Sequence, residues 1–412
     1  MNFQRMLIIF LCHYTYYIKF LLSGLFLLQN KKSLQSSEMA LRSQSNATNN
    51  SLVVSQTTDT PMDVFVLVLK SIIMTLIMVT AVAGNLLVIG SVVKFERLRS
   101  RVTNYFIVSL AFADILVAVL VMPFNASMEI SQRWLFGSVM CDIFNANDVL
   151  FSTSSILHLC CISMDRYIAI MKPLKYERKM TKFRALSMLA ITWIASLLIS
   201  YIPIQSQLYT TNENVLTMKN NPNQCTFVVN HLYAVISSSV SFWIPCTIMV
   251  FVYIRIFIEA RKQEKHIRSA SVCSNKSNAL HPSRNSRDMS DRKTMKREHK
   301  AAKTLGIIMG VFILCFFPFF SWYLITSICT DLCPYPPILG KILFWIGYFN
   351  SCLNPIIYAY YNREFRQAFK RLLRMKSQFD SYNFNQYSSG DTKDTANVPL
   401  VYLNGNGGPT SV

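Results

Sequence analysis

Asp148 is a lone carboxylate inside an apolar run, and the residues around it suggest what it could hold. Ser152 and Ser155 fall on the same helical face, with Val149 beside them. A later apolar run offers Ser237, Ser238 and Ser241, spaced i, i+1 and i+4. Another offers Phe316, Phe319, Phe320 and Tyr323, spaced i, i+3, i+4 and i+7, and Phe344 and Tyr348 repeat that aromatic character further on. An anion, a hydroxyl cluster and aromatic walls together complement a protonated amine that carries a hydroxylated aromatic ring. Any one stripe alone is ordinary helix packing, because serine is common at membrane-helix contacts. The three together point to a ligand.

Two other ionisable positions stand out, because charge inside hydrocarbon is costly and marks function by default. Asp114 lies midway through one apolar run. Asp165-Arg166 closes the run that contains Asp148, just ahead of a cluster of lysines. At 1.5 Å per residue, Asp148 and Arg166 are ~27 Å apart along one helix. One rod thus joins an anion near one face of a membrane to a cation near the other.

Such a rod needs a bundle to hold it. The chain has 412 residues, 52% of them hydrophobic and only 15% charged, with a mean hydropathy of +0.30. Its apolar residues gather into segments of about 20–25 residues, each long enough to cross ~30 Å of hydrocarbon as a helix. Seven such segments lie near 63–93, 104–127, 139–171, 183–205, 230–260, 297–328 and 338–360. Composition therefore predicts an all-α membrane protein, a seven-transmembrane helix bundle over residues 63–360. Pro123, Pro203, Pro245, Pro318 and Pro355 fall inside these segments, where neighbouring helices can satisfy the freed carbonyls.

The net charge of +20 is sorted rather than spread. Lysines and arginines follow the first, third, fifth and seventh segments, and the alternate loops are nearly bare. Basic loops face the cytoplasm, which puts residues 31–62 outside and the C-terminus inside, in the plasma membrane. Topology accounts for the basic surplus, and nucleic acid is excluded as a partner. No Ser/His pairing, metal dyad or phosphate loop shares a face, so an enzyme is not expected.

The flanks read as separate parts. Residues 1–30 hold a further apolar stretch that reads as a signal or targeting segment, with an uncleaved anchor or an N-terminal extension as alternatives. Residues 31–62 carry the glycosylation sequons of Asn46 and Asn49. Residues 262–295 are rich in Ser, Asn, Arg and Lys, and read as a disordered cytoplasmic loop. Residues 361–375 place Phe365, Phe369, Leu372 and Leu373 on one helical face with cations opposite, as in a short amphipathic helix on membrane lipid. Residues 376–412 form a disordered tail whose Thr410-Ser411-Val412 ending suits a PDZ-type partner. Of eleven cysteines, Cys141, Cys225, Cys329 and Cys333 fall in or near the outward loops, where disulfides persist. A Cys141–Cys225 bridge would pin the loop before the fifth segment across the outer mouth. Cys329 and Cys333 could close a small loop of their own.

These residues coincide with a known pattern. Across about residues 62–375 the chain resembles rhodopsin-like (class A) G-protein-coupled receptors. The matches run in order, one per segment: Gly84-Asn85, "SLAFAD" ending at Asp114, Asp165-Arg166-Tyr167, Trp193, Pro245 with Tyr253, Pro318 in "CFFPFF", and Asn354-Pro355-Ile356-Ile357-Tyr358. Asp148 and the serines match the biogenic-amine branch. Within it, "STSSILHLCCISMDRY" and "FWIGYFNSCLNPIIYAYYNREFRQAF" look most like invertebrate beta-type octopamine receptors.

The resemblance implies a cell-surface receptor for an amine agonist, octopamine first, with dopamine, tyramine, serotonin or a trace amine as alternatives. It implies a stimulatory heterotrimeric G protein raising cyclic AMP, with arrestin and receptor kinases as further partners. Asp148 would be the counter-ion of the ammonium. Asp114, Ser155, Asn350, Ser351 and Asn354 would hold a sodium ion as an allosteric ligand, with no other cofactor. Arg166 would pair with Asp165 and reach Glu298, while Tyr167, Tyr253, Asn354, Pro355 and Tyr358 complete the switch. Phe316 departs from the pattern, standing where the family usually has Trp, so an indole N–H and its hydrogen bond are lost. An amine transporter, the reading from another class, would show an internal repeat, and the seven segments show none.

Overall fold

The computed structural model describes residues 61–172, 175–221, 223–276, 285–329 and 336–373, with side chains except at 61–63, 260, 263–276, 285–305 and 337. The expectations for segment 1–30 and for residues 31–60, for Asn46, Asn49 and Cys333, for the tail, and for the side chain of Glu298 fall outside the described residues.

Seven long helical segments follow in order, with no strand among the described residues. The first is Pro61–Lys94. The second runs Thr103–Leu120 and continues as Met122–Ser131, the break at Val121 preceding Pro123. The third is Gly137–Met171 and the fourth Lys182–Gln205. The fifth starts as His231–Ser238, passes through a π-helical turn at Ser239–Trp243 and continues as Ile244–Lys276. The sixth is Asn285–Cys329 and the seventh Pro337–Tyr361, with Pro318 and Pro355 inside them. Six of these are long and apolar enough to cross a membrane by length and composition alone. The third falls short of that measure because its core face is polar: Asn145, Thr153, Ser154, Ser155, His158, Ser163 and Asp165 are all buried on it.

That polarity is tolerated because the third helix is central. It packs against the second, fourth, fifth and sixth, while the first and seventh close the other side of the bundle. One apolar cluster, including Phe106, Ile156, Phe242, Phe312 and Tyr358, fills the half nearer Arg166. A second, including Met78, Trp134, Phe144 and Tyr348, fills the half nearer the disulfide. Val68, Ile72, Leu198, Phe251, Leu314 and Ile325 are exposed, an outer surface suited to hydrocarbon.

The first and seventh helices meet at Gly84, where an added Cβ would come within 2.9 Å of the Pro355 ring. Asn85 beside it donates to the Ser351 carbonyl at 2.9 Å. A Gly84→Val substitution is therefore expected to cost about 1–3 kcal/mol by overpacking. It should lower the thermal midpoint of the purified protein, whereas Gly310→Ala, which meets nothing within 4 Å, should not.

Two expectations need correction. Residues 262–295 are not loop throughout, since the backbone is helical to Lys276 and again from Asn285. Their Lys and Arg content suits helix continuation as much as solvation. After the seventh helix, the short helix spans Arg363–Leu372 and Leu373 lies beyond it, exposed. Its apolar face is turned into the protein rather than only onto lipid. Phe365 is fully buried, belongs to the central cluster and stacks on Tyr358 with centroids 5.3 Å apart. Asn362 caps this helix by accepting from the Glu364 and Phe365 amides at 3.1 and 3.4 Å.

Candidate functional site

The disulfide joins Cys141, at the start of the third helix, to Cys225 in the loop before the fifth. Asn145, one turn down, donates toward both sulfurs. The same loop is held by Trp134, whose amide donates to the Asn223 carbonyl at 2.7 Å, and by Tyr209 stacked on Phe227 at 5.4 Å. A helix at Asn212–Asn220 within the loop was not legible as one of the long apolar segments. Cys329 is also disulfide-bonded. Cys160, Cys161, Cys246, Cys315 and Cys352 are free and at least partly buried.

Asp148 lies two turns further along the third helix, half-buried. Its carboxyl faces the Tyr348 hydroxyl of the seventh helix closely enough to interact with it, though that hydroxyl is buried and completes no hydrogen bond of ordinary geometry. Among the described residues no salt bridge reaches Asp148. The Ser152 hydroxyl turns back to the Asp148 carbonyl at 2.6 Å. Val149 packs outward, with Ile204, Tyr209 and Tyr233.

From Tyr348 the aromatic residues form a continuous arc. Tyr348 contacts Phe344 at 6.3 Å, Phe344 contacts Phe319 at 4.8 Å, and Phe319 stacks on Tyr323 at 6.0 Å. The Tyr323 hydroxyl then bonds Ser237 on the fifth helix at 3.2 Å. Phe320 lies beside Phe319 at 5.2 Å and stacks on Phe242 at 4.6 Å. Phe316 lies one turn deeper, against Phe312 at 4.7 Å and close to Gly347, where a Cβ would stand 3.3 Å from its ring. Ser241, on the π-helical turn, shares a hydrogen bond of 2.7 Å with Thr153 of the third helix. Ser238 is buried and, among the described residues, bonds its own helix at the Val235 carbonyl. Thr153 and Phe242 escaped the sequence reading, although each adjoins a residue that was singled out.

Below this arc, Asp114 is buried and accepts from Ser351 at 3.0 Å and from Asn354 at 2.9 Å. The Ser155 hydroxyl lies beside the same carboxyl, buried and without a hydrogen bond of ordinary geometry. Asn350 is buried nearby on the seventh helix and reaches the Cys315 thiol. The oxygens of Asp114, Ser155 and Ser351 are hard donors, and an orphaned buried hydroxyl among them fits a hard cation. His158, by contrast, is a satisfied core residue, bonded to Ser109 at 2.6 Å and to the Ser154 carbonyl at 2.5 Å, with Trp193 edge-on at 5.6 Å.

At the far end of the third helix, Asp165 is fully buried and multiply bonded. Arg166 donates to it from Nε at 3.0 Å and from Nη2 at 2.6 Å. Thr103 donates to it at 2.7 Å and Tyr176 at 2.8 Å. Arg166 also contacts the Thr103 hydroxyl. Burial and the Asp165 charge push the Tyr176 hydroxyl up to about 12, so it stays protonated and remains a donor at physiological pH. Neither Thr103 nor Tyr176 stands out in sequence, since each is a single polar residue away from Asp165's own helix. The hydroxyls of Tyr253 and Tyr358 are both buried and complete no hydrogen bond of ordinary geometry among the described residues; Tyr253 lies beside Ser163 and within electrostatic reach of Tyr358. Tyr167 instead packs at the side, with Ile170, Val252 and Ile256.

Comparison with known proteins places this arrangement. Residues 84–358 match the family model of the seven-transmembrane receptors (rhodopsin family). The octopamine receptor beta-2R of Chilo suppressalis is 53% identical over 322 residues, covering 74% of this chain and 79% of that one. The octopamine receptor beta-2R of Drosophila melanogaster is 51% identical over 335 residues, covering 76% of this chain and 62% of that one. The D(5)-like dopamine receptor of Takifugu rubripes is 43% identical over 304 residues, covering 72% of this chain and 65% of that one.

Proposed function

Because the chain belongs to the rhodopsin family of seven-transmembrane receptors, and so is a receptor rather than an enzyme, we propose that it is a cell-surface receptor for octopamine. In this reading it signals through a stimulatory G protein to raise cyclic AMP. Its disulfide end faces outward, and its Arg166 end faces the cytoplasm, as the basic loops require. One observation carries the ligand reading. The Asp148 carboxyl, the aromatic arc through Tyr348, Phe344, Phe319 and Tyr323, and the hydroxyl of Ser237 form one continuous path across four helices. A protonated amine bonded to Asp148 lays its ring along that arc and directs its ring hydroxyl toward Ser237, Ser238 and Ser241.

Binding is linked to the far end by the helices that bear these groups. An amine held by Asp148 and by the serines draws the fifth helix toward the third, at the π-helical turn where Ser241 meets Thr153. π-helical turns are frequent at functional sites. Pro318 lies inside the sixth helix between Phe320 and the cytoplasmic end, and a proline there is where a helix can bend. Tightening above favours the packing in which the inner end of the sixth helix swings away. Arg166 then leaves Asp165 and Thr103 to meet the G protein. This is a population shift between two helix packings, driven by the amine's differential affinity for them. The buried hydroxyls of Tyr253 and Tyr358 provide partners that a bridging water can join in one packing. Asp114, Ser155 and Ser351 would hold a sodium ion, which adds positive charge between the helices and favours the resting packing.

The test is a panel of amines on cells expressing the chain. Octopamine should raise cyclic AMP at a lower concentration than tyramine, dopamine or serotonin does. Dopamine as the more potent agonist would replace octopamine as the ligand, and amine accumulation inside vesicles without cyclic AMP would indicate transport.

A further inference from the structure

A cavity of about 340 Å3 opens on the outside of the bundle, between the first, second and seventh helices. Its walls are apolar, with Ile73, Ile77, Ile342, Ile346 and Phe349 among them. Ile73, Ile342 and Phe349 are 49%, 50% and 42% exposed, so on a membrane protein this slot opens onto hydrocarbon. Its size falls in the roughly 300–1,000 Å3 range of small-molecule sites.

One end of the slot is charged. Glu129 on the second helix is 3% exposed, and its two carboxylate oxygens are bonded separately, one by Lys70 at 2.7 Å and the other by Lys341 at 3.2 Å. All three residues line the slot. The cluster therefore carries one net positive charge at the mouth of an apolar cleft. Each ammonium has three N–H donors. The carboxylate takes one from each lysine, and Lys341 makes one further long contact to Gln132 at 3.4 Å. With side chains 32% and 36% exposed, both lysines can offer their remaining donors to an outside acceptor.

A soluble anion has no use for the apolar walls, and a sterol has no anion for the lysines. A molecule with a phosphate at one end and a hydrocarbon chain at the other uses both. We propose that this slot holds a phospholipid, with its phosphate on Lys70 and Lys341 and one acyl chain along Ile73, Ile342 and Phe349. The lipid comes from the outer leaflet if the disulfide end faces outward, and that orientation alone rests on the receptor reading. The slot adjoins the amine path without entering it. Trp345 lines the slot and meets Tyr348 edge-on at 5.6 Å, so the acyl chain lies one ring away from the residue that faces Asp148.

The purified chain in nonionic detergent is titrated with dioleoyl phosphatidylglycerol, dioleoyl phosphatidylcholine, oleic acid or cholesterol, and retained lipid is read by native mass spectrometry. Phosphatidylglycerol should be retained saturably at one copy, phosphatidylcholine and oleic acid, whose carboxylate offers fewer acceptors than a phosphate, more weakly, and cholesterol not at all. The triple substitution Lys70→Gln, Glu129→Gln, Lys341→Gln removes the charges together and leaves no orphaned carboxylate. Ile342→Trp fills the slot instead. Each should weaken phosphatidylglycerol retention at least tenfold with the thermal midpoint of the protein preserved. Undiminished retention in whichever of these proteins keeps a cooperative thermal transition overturns the proposal, as does retention of oleic acid or cholesterol at the level of phosphatidylglycerol. Amine binding is measured on the same wild-type sample. Its absence would overturn the receptor reading and leave the lipid result to be read on its own.

Discussion

Replacing Asp148 by asparagine should weaken octopamine potency by at least about 30-fold and leave surface expression unchanged. Asparagine keeps the shape of the side chain and its contact with Tyr348, but removes the charge. Truncating one partner of a desolvated, hydrogen-bonded charge pair costs about 2–5 kcal/mol, and each 1.4 kcal/mol is tenfold in affinity. The loss is expected to be large because no salt bridge to Asp148 exists among the described residues. The carboxylate has no resident cation to lose, and the ligand supplies the one it meets. Folding should be indifferent for the same reason. A cyclic AMP dose–response curve at matched surface expression measures this. An unshifted curve would remove Asp148 as the counter-ion.

At the other end of the same helix, Asp165→Asn should raise cyclic AMP in the absence of any agonist, by at least about fivefold. Asp165 is fully buried and gathers Arg166, Thr103 and Tyr176 around one carboxylate. The amide keeps one acceptor oxygen and turns an N–H2 toward groups that were donors. The Arg166 guanidinium has no acceptor to offer it. A shift of about 2–3 kcal/mol against the resting packing corresponds to about 30- to 150-fold in its equilibrium, since 1.4 kcal/mol is tenfold. A minor state of about 1%, within the usual 0.1–10%, then becomes a substantial fraction. Basal activity equal to wild type, at equal surface density, would mean that the Asp165 cluster is not what holds the chain at rest.

The two carboxylates at the ends of the third helix were legible in sequence because ionisable groups are so rare inside apolar runs. The helix around them was less so. It falls short of the apolarity of the other six long helices, and its extent shows only when its buried polar face is seen to be matched by four neighbouring helices. The aromatic arc was readable from i, i+3, i+4 and i+7 spacing on the sixth helix, because Phe319 and Tyr323 share a face whatever the neighbours do. Thr153 and Phe242 were not, because what recruits them is the π-helical turn at Ser239–Trp243. No residue type in that stretch announces such a turn. Thr103 and Tyr176 were missed for a related reason: a single hydroxyl gains its role from the carboxylate that folding brings to it. The helix through Lys276 was not legible because a run rich in Lys and Ser suits both a solvated loop and a solvated helix, and only continuity with the span above decides between them.

The phenylalanine at position 316 belongs to the same account. Its ring occupies the gap left by Gly347 and packs on Phe312, so the stack at the base of the aromatic arc is kept without an indole.

The central claim is that an amine held at Asp148 and a G protein held near Arg166 stabilise the same packing of the helices. Linkage then requires each to raise the affinity of the other by the same factor. The direct measurement is octopamine binding to the purified chain with and without nucleotide-free stimulatory G protein. The account predicts at least about tenfold tighter octopamine binding in the presence of the G protein, a coupling of about 1.4 kcal/mol. That gain should disappear on adding guanine nucleotide. Equal octopamine affinity in both samples, with the G protein bound, would contradict it.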